Sequence, residues 1–104
     1  MTTVVCTSGK ITRKGNYILL VRDSGAEIAL DRIKDRHLIS FIKNNIMPEN
    51  SEDSKEIETP NFRLIITGER IIKVKSFLIN NNLSPINWLK ITERQAERVK
   101  ELLS

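Results

Sequence analysis

Cysteine, histidine and aromatic residues are scarce in this chain, and their scarcity limits the chemistry available to it. A single cysteine, Cys6, excludes a disulfide within the chain. His37 is the one histidine, and together with Cys6 it falls short of the three or four ligands of a zinc site. No P-loop, nucleophile-elbow or dinucleotide-binding motif is present. We therefore predict that the protein is not an enzyme and binds neither a metal nor a cofactor.

Long apolar runs are also missing. No segment approaches the roughly 20 apolar residues that cross a bilayer, and the first residues lack the charged and apolar regions of a secretory signal. A chain of 104 residues has the usual length of one domain. These observations predict a single domain over residues 1–104, located in the cytoplasm and not associated with a membrane.

The net charge of +4 is distributed unevenly along the chain. Residues 1–46 carry eight Lys or Arg and four Asp or Glu, and residues 61–104 carry the same numbers. Between them, residues 47–60 (MPENSEDSKEIETP) carry one Lys and five acids. The sequence therefore predicts two basic lobes separated by an acidic loop. Basic surfaces attract phosphate backbones and acidic proteins.

The first third of the chain has the pattern of an antiparallel meander. Short apolar strands end at two turn signals, KGN at 14–16 and DSG at 23–25. From Asp31 to Ile46 the apolar positions follow a helical period instead, with Asp31 as the expected N-cap.

The rest of the chain predicts one more strand and further helices. Residues 61–66 (NFRLII) alternate as a strand does, and a helix is expected over 67–80. The Ser-Pro pair at 84–85 resembles a helix start, with Trp88 packed beyond it as a staple. A T-x-x-Q capping box at Thr92 begins the last helix. The predicted fold class is α+β: an N-terminal antiparallel β-meander plus one later strand, with three to four helices packed on one face.

Two similar hexapeptides, SFIKNN at 40–45 and SFLINN at 76–81, lie 36 positions apart. When the two lobes are aligned with this offset, a predicted strand and helix of the first lobe match a predicted strand and helix of the second. The pair is therefore compatible with a weak internal βα repeat. Chance similarity in a chain rich in Ile and Asn is the other explanation.

Basic residues on the predicted strands, beside one exposed aromatic ring, form the candidate binding site. Lys and Arg hold phosphates, and an unpaired base can stack on an aromatic ring. The phenylalanines are expected in the core, which leaves Tyr17 as the platform. The predicted nucleic-acid-binding residues are Lys10, Arg13, Lys14, Tyr17, Arg22 and Arg63. The alternative is that these charges only solvate an exposed sheet.

The order of a meander, a helix, a strand and a helix resembles the layout of small sheet-based single-strand binders such as the whirly type. The basic residues on the predicted sheet lead us to expect a small, non-enzymatic, basic nucleic-acid-binding protein with a regulatory role, and single strands are a better fit than duplexes. The alternative is a protein-binding module, such as a phage- or mobile-element-encoded inhibitor or adaptor of a host protein. The acidic loop favours it, as do the many Asn, Ile and Lys residues, whose codons are A/T-rich. The oligomeric state stays open, with a homodimer among the options.

Overall fold

The computed structural model describes residues 2–47, 53–78 and 84–104, and it contains two antiparallel sheets of four strands each. The first sheet consists of β1 (Thr3–Cys6), β2 (Gly9–Lys14), β3 (Tyr17–Arg22) and β4 (Glu27–Asp31), and it is followed by α1 (Arg36–Asn45). The second sheet consists of β5 (Lys55–Glu58), β6 (Phe62–Ile66), β7 (Ile71–Ser76) and β8 (Ile86–Lys90), and it is followed by α2 (Glu93–Leu103). In both sheets, consecutive strands are neighbours.

The predicted N-terminal meander is confirmed. Buried and exposed residues alternate along its strands, and each turn carries a glycine that can adopt a positive φ angle. Gly15 has a φ of 58° between β2 and β3, and Gly25 has a φ of 93° between β3 and β4. Because glycine has no Cβ, these angles carry no steric cost at either turn.

The second half of the chain contradicts the predicted fold class. Only two helices occur in the described residues, and the strand at 61–66 belongs to a second complete meander. Residues 71–76 (IIKVKS) were expected in a helix but form β7, and residues 84–85 precede β8. Because IIKVKS is only six residues long, its apolar positions fit both the period of a helix and the two-residue period of a strand. Pairing with β6 on one side and β8 on the other selects the strand.

Trp88 is a strand residue and not a helical staple, which corrects a second prediction. The pairing of β7 with β8 shifts register between Ile72 and Lys73, so that Ile72 lies opposite Leu89 whereas Lys73 lies opposite Asn87. This β-bulge turns two successive residues, Trp88 and Leu89, into the core.

Of the two explanations for the hexapeptide pair, the βα repeat at an offset of 36 is wrong, because the two hexapeptides have different secondary structures. SFIKNN lies within α1, whereas Ser76 ends β7 and the following residues through 78 form a turn. The remainder of the second hexapeptide lies outside the described residues. The structure instead contains the order ββββα twice, with the second unit 52 to 59 positions after the first. The connections between elements differ in length between the two units, so no constant offset relates them.

The two helix starts differ in how well the sequence predicted them. The capping box at Thr92 is confirmed: Thr92 Oγ1 accepts a hydrogen bond from the Gln95 N–H, and Gln95 Oε1 accepts one from the Thr92 N–H. Asp31 does not cap α1, which begins five residues later. Its carboxylate accepts hydrogen bonds from the N–H groups of Lys34 and Ile33, which lower its pKa and fix a turn before the helix.

The hydrophobic core lies between the inner faces of the two sheets and includes the apolar sides of both helices. β8 packs across β3 and β2, α2 packs against β1 and β2, and α1 packs against β4, β5 and β6. Each helix therefore contacts the sheet of the other unit, and the two helices touch each other. Because neither unit buries its apolar surface alone, the two fold around one shared core.

The acidic segment is more ordered than predicted. Residues 48–52 lie outside the described residues, but residues 55–58, expected in a loop, form the edge strand β5. Its Ile57 packs against the core, and this apolar anchor, together with pairing to β6, holds the strand. In the described part of the chain, neither helix is long and apolar enough to cross a membrane.

Candidate nucleic-acid interface

The six predicted binding residues do not form one surface. Lys10, Lys14 and Tyr17 lie on the side of the first sheet that faces away from the core, as the alternation of burial along β2 and β3 requires. Arg13 and Arg22 occupy the opposite register of the same strands. Arg63 belongs to the second sheet.

Arg13 and Arg22 are engaged with their own chain. Arg13 Nη1 donates a hydrogen bond of 3.3 Å to the backbone oxygen of Ser104. The guanidinium of Arg22 lies 5.4 Å from the centroid of the Trp88 ring, within the range of a cation–π interaction. Because both cations have intramolecular partners, they contribute less to an external phosphate site than the sequence alone indicates.

The first outer face is the solvent side of the first sheet. It is formed by Thr3, Val5, Lys10, Thr12, Lys14, Tyr17, Leu19, Val21, Glu27, Ala29 and Asp31. Its two lysines are matched by two acids, Glu27 and Asp31, so that the face carries no net charge.

A second surface, which we call the basic face, lies on the solvent side of the second sheet. It consists of Arg63, Lys73, Lys75, Asn87 and Lys90 on β6, β7 and β8. Arg63 lies opposite Lys75, and Lys73 lies opposite Asn87. Lys90 lies opposite Ile71, next to the Lys73 position along β7. Four cations and one amide thus lie on three adjacent strands at three successive levels, with the partly covered Ile65 and Ile71 among them.

Acidic residues on this side of the sheet are confined to its edge. Glu56 and Glu58 lie on β5, and Glu56 forms an ion pair with Arg63 that raises the pKa of the arginine. Lys73, Lys75 and Lys90 form no ion pair with any residue that the structure describes. The three lysines therefore present uncompensated positive charge on the β7 and β8 side of the sheet.

Phe77 adds an aromatic ring next to the basic face. It follows β7 and is half-buried, which corrects the expectation that it belongs to the core. The Lys75 Nζ atom lies 5.5 Å from the centroid of its ring. Lysine and aromatic ring together are the pair of groups that bind a phosphate and a stacked base.

Sequence reasoning missed Lys73 and Lys75 because it assigned a helix to the segment that contains β7, and it missed Lys90 because it took the pair at 84–85, just before β8, as a helix start. The signal was present: in IIKVKS the lysines alternate with Ile72 and Val74, which is the two-residue period of a strand. The preceding TGER is also a turn sequence between two apolar runs. Together these patterns predict a hairpin with both lysines on one face.

An apolar cleft of about 290 Å³ opens between the two sheets. Ile28, Val74, Ile86 and Trp88 contribute its apolar lining, and charged residues, Arg22 among them, line it as well. Lys75 of the basic face also lines the cleft, so the cleft opens beside that face.

The one cysteine and the one histidine of the chain lie on different elements, Cys6 on β1 and His37 on α1. Cys6 is buried, and burial raises the pKa of its thiol to about 11, which keeps it protonated and unreactive at neutral pH. His37 is exposed on α1. Across residues 2–47, 53–78 and 84–104, no three His, Cys, Asp or Glu side chains are grouped so that they could hold a metal ion.

No protein-family model, curated protein or solved structure matches this chain.

Proposed function

We propose that this protein binds single-stranded nucleic acid without catalysing a reaction, and that the strand lies along the basic face. The observation that carries the proposal is the position of Lys73, Lys75 and Lys90, three cations on adjacent strands of an open sheet with no ion pair to a described residue. Phosphate contacts by lysine and arginine supply most of the affinity of nonspecific nucleic-acid binding. A sheet is a platform along which an extended strand can lie.

The balance of charge favours the basic face over the first outer face. Four cations and two acids lie on the solvent side of the second sheet, and the acids are gathered on the edge strand β5. Two cations and two acids lie on the first outer face, on either side of β3. Since binding strength depends on the number of phosphates neutralised, the second sheet is the stronger candidate.

The groups beside the lysines favour a single strand over a duplex. The half-buried ring of Phe77 offers a stacking surface, and stacking of a base on an aromatic side chain contributes about 1–3 kcal/mol. Asn87 carries an amide that can donate to a phosphate or pair with a base edge. Stacking on the ring and pairing of the amide with a base edge are easiest with unpaired, accessible bases, as in single strands.

Fluorescence anisotropy with labelled single-stranded DNA and RNA tests the proposal. Replacing Lys73, Lys75 and Lys90 with Ala is expected to weaken binding at least tenfold at low salt. It is also expected to reduce the slope of log affinity against log salt by about 2, since each phosphate contact on a single strand contributes about 0.7.

The double variant Lys10→Ala/Lys14→Ala is the matched control, because it removes exposed lysines from the first outer face of the same protein. We expect it to retain most of the wild-type affinity and salt dependence. Absence of binding at low salt would refute the proposal. An equal or larger loss in the control would move the site to the first outer face, where the sequence places Lys10, Lys14 and Tyr17 as binding residues.

A protein-binding module is the second candidate, and the edge strand β5 favours it. β5 pairs only with β6 among the described strands, and its Lys55, Glu56 and Glu58 are exposed. An exposed edge can accept a strand from a partner protein, and its acids would attract a basic one. Affinity capture from nuclease-treated lysate separates the candidates. A protein that stays bound after nuclease treatment and is lost in Glu56→Lys/Glu58→Lys would favour this module.

A further inference from the structure

We infer that the first outer face is the interface of a homodimer, with a second copy of this chain as its occupant. The centre of the face is apolar: Leu19 and Val21 lie on β3 and are only partly covered, while Val5 is 69% exposed and Tyr17 is 47% exposed. The second sheet and α2 pack on the opposite side of these strands. Among the described residues, nothing in the chain covers this face.

The two sheets have the same strand order, but the residues on their outer faces differ in polarity. The solvent side of the second sheet mixes Arg, Lys and Glu with two isoleucines, Ile65 and Ile71, and two of the three outward positions of its inner strand β7 are lysines. At the equivalent positions of β3, the first sheet carries Tyr17, Leu19 and Val21. Apolar residues in the middle of an outer face are typical of a contact surface.

The charges on the first outer face are arranged so that the face is complementary to itself. Lys10 on β2 and Glu27 on β4 both lie beside Val21 of the intervening strand. Lys14 on β2 and Asp31 on β4 lie in the same way on either side of Tyr17. Cations therefore occupy one side of β3 and acids the other, at the same two levels along the strand.

A two-fold axis parallel to β3 converts this pattern into intermolecular ion pairs. Such an axis places β2 of one copy opposite β4 of the other, which brings Lys10 towards Glu27 of the second copy and Lys14 towards Asp31 of the second copy. Leu19 and Val21 then meet their own counterparts in two sheets about 10 Å apart. Because the Asp31 carboxylate already accepts two backbone hydrogen bonds, Lys10 with Glu27 is the stronger pair.

The size of the face sets the expected strength of the dimer. Four strands about 4.8 Å apart and five residues long give a footprint of roughly 300 Å² per copy. This is smaller than the interface of most stable complexes, so we expect a reversible dimer with a dissociation constant of roughly 10–500 µM. Dimerisation leaves the basic face of both copies exposed, and it does not depend on the proposed function.

Sedimentation equilibrium of two charge-reversal variants, alone and mixed, tests the inference. Lys10→Glu places two glutamates opposite each other in its own homodimer, and Glu27→Lys places two lysines opposite each other. Each variant alone is expected to dimerise about tenfold more weakly than wild type, because like charges then face each other twice per dimer. In the heterodimer of the two, both cross-copy pairs are opposite in sign. Mixing is therefore expected to restore association to within about threefold of wild type.

Restoration by mixing cannot arise from effects within one chain, since each variant keeps its own substitution. Lys73→Glu on the basic face is the matched control and is expected to leave the dissociation constant unchanged. A chain that stays monomeric at about 1 mM would overturn the inference. So would a dimer that responds to Lys73→Glu and not to Lys10→Glu, or two variants that remain dissociated when mixed.

Discussion

The indole Nε1–H of Trp88 donates a hydrogen bond of 2.9 Å to the backbone carbonyl oxygen of Leu20, 68 residues earlier in the chain. This bond joins β8 of the second sheet to β3 of the first. It lies where the β-bulge turns Trp88 into the core, and only 7% of the residue is exposed. One side chain thus connects the two ββββα units, both through apolar packing and through a buried polar contact.

Trp88→Phe is expected to lower the free energy of unfolding by about 2–3 kcal/mol. The variant keeps an aromatic ring but removes the hydrogen bond to Leu20 and some buried volume. Arg22→Met is the control, because it removes only the cation above the indole ring and is expected to cost less than about 1 kcal/mol. Urea denaturation followed by circular dichroism measures both, and equal losses would show that the hydrogen bond contributes little.

Gly9→Ala is expected to destabilise the protein by about 3 kcal/mol or more. A Cβ atom on Gly9 would lie 2.0 Å from the Val21 carbonyl oxygen on the neighbouring strand β3 and 2.6 Å from Leu89 Cδ2 on β8, so both strands would have to shift.

Gly15→Ala is the matched control for this substitution. A Cβ atom on Gly15 would have no neighbouring atom within 4 Å, and the cost arises only from its φ of 58°, which is about 1 kcal/mol for a residue with a Cβ. A smaller loss of thermal stability for Gly9→Ala than for Gly15→Ala would contradict the close approach of Gly9 to β3 and β8.

Arg70→Gly is expected to stabilise the protein by about 1 kcal/mol. Arg70 is the one described non-glycine residue with a positive φ, 61°, and its Nε atom is buried without a hydrogen-bond partner. Glycine removes both the backbone strain and the unsatisfied donor.

Arg70→Ala separates the two contributions, because alanine removes the donor but keeps the strained backbone. We expect the melting temperature to rise by about 5 °C for Arg70→Gly and by less for Arg70→Ala. A lower melting temperature in both variants would show that the aliphatic part of Arg70 stabilises the turn. Its contribution would then exceed the combined cost of the backbone strain and the buried nitrogen.

Cys6 is expected to resist thiol reagents at pH 8 in the folded protein and to react fully in denaturant. Burial raises the pKa of its thiol from 9.0 to about 11. Since the folded state holds the proton more tightly, its stability is unaffected below pH 9 and decreases as the pH rises towards 11, by about 2 kcal/mol. Comparison with Cys6→Ala isolates this effect from the titration of lysines. A pH dependence between 9 and 11 that is identical in both proteins would contradict it.

The sequence alone predicted those structural features that depend only on residues close together in the chain. The turns at Gly15 and Gly25 and the capping box at Thr92 with Gln95 depend on residues within a few positions of each other. Their physical causes, the tolerance of glycine for positive φ and the satisfaction of free N–H groups, act without help from the rest of the chain. Exposure of Lys10, Lys14 and Tyr17 likewise followed from the alternation along a single hairpin.

The sequence was ambiguous where a short segment fits both the helical period and the two-residue period of a strand. In the second half of the chain, the helix was the wrong choice. The segment IIKVKS and the pair at 84–85 both satisfied helix rules, yet both belong to the second meander. Pairing of β7 with two neighbouring strands satisfies its backbone groups on both sides, and that pairing involves residues up to 19 positions apart. No local pattern contains this information.

What the sequence by itself determined is the set of residues from which the surfaces are built: which lysines are available and which residues are apolar. Only the tertiary structure decided which charges share a face. It gathered Lys73, Lys75 and Lys90 on one sheet, tied Arg13 and Arg22 to their own chain, and left an apolar strip along β3. The physical reason is that strand register and the packing of β8 across β3 depend on contacts between distant residues, and a one-residue shift in register exchanges the buried and exposed faces of a strand.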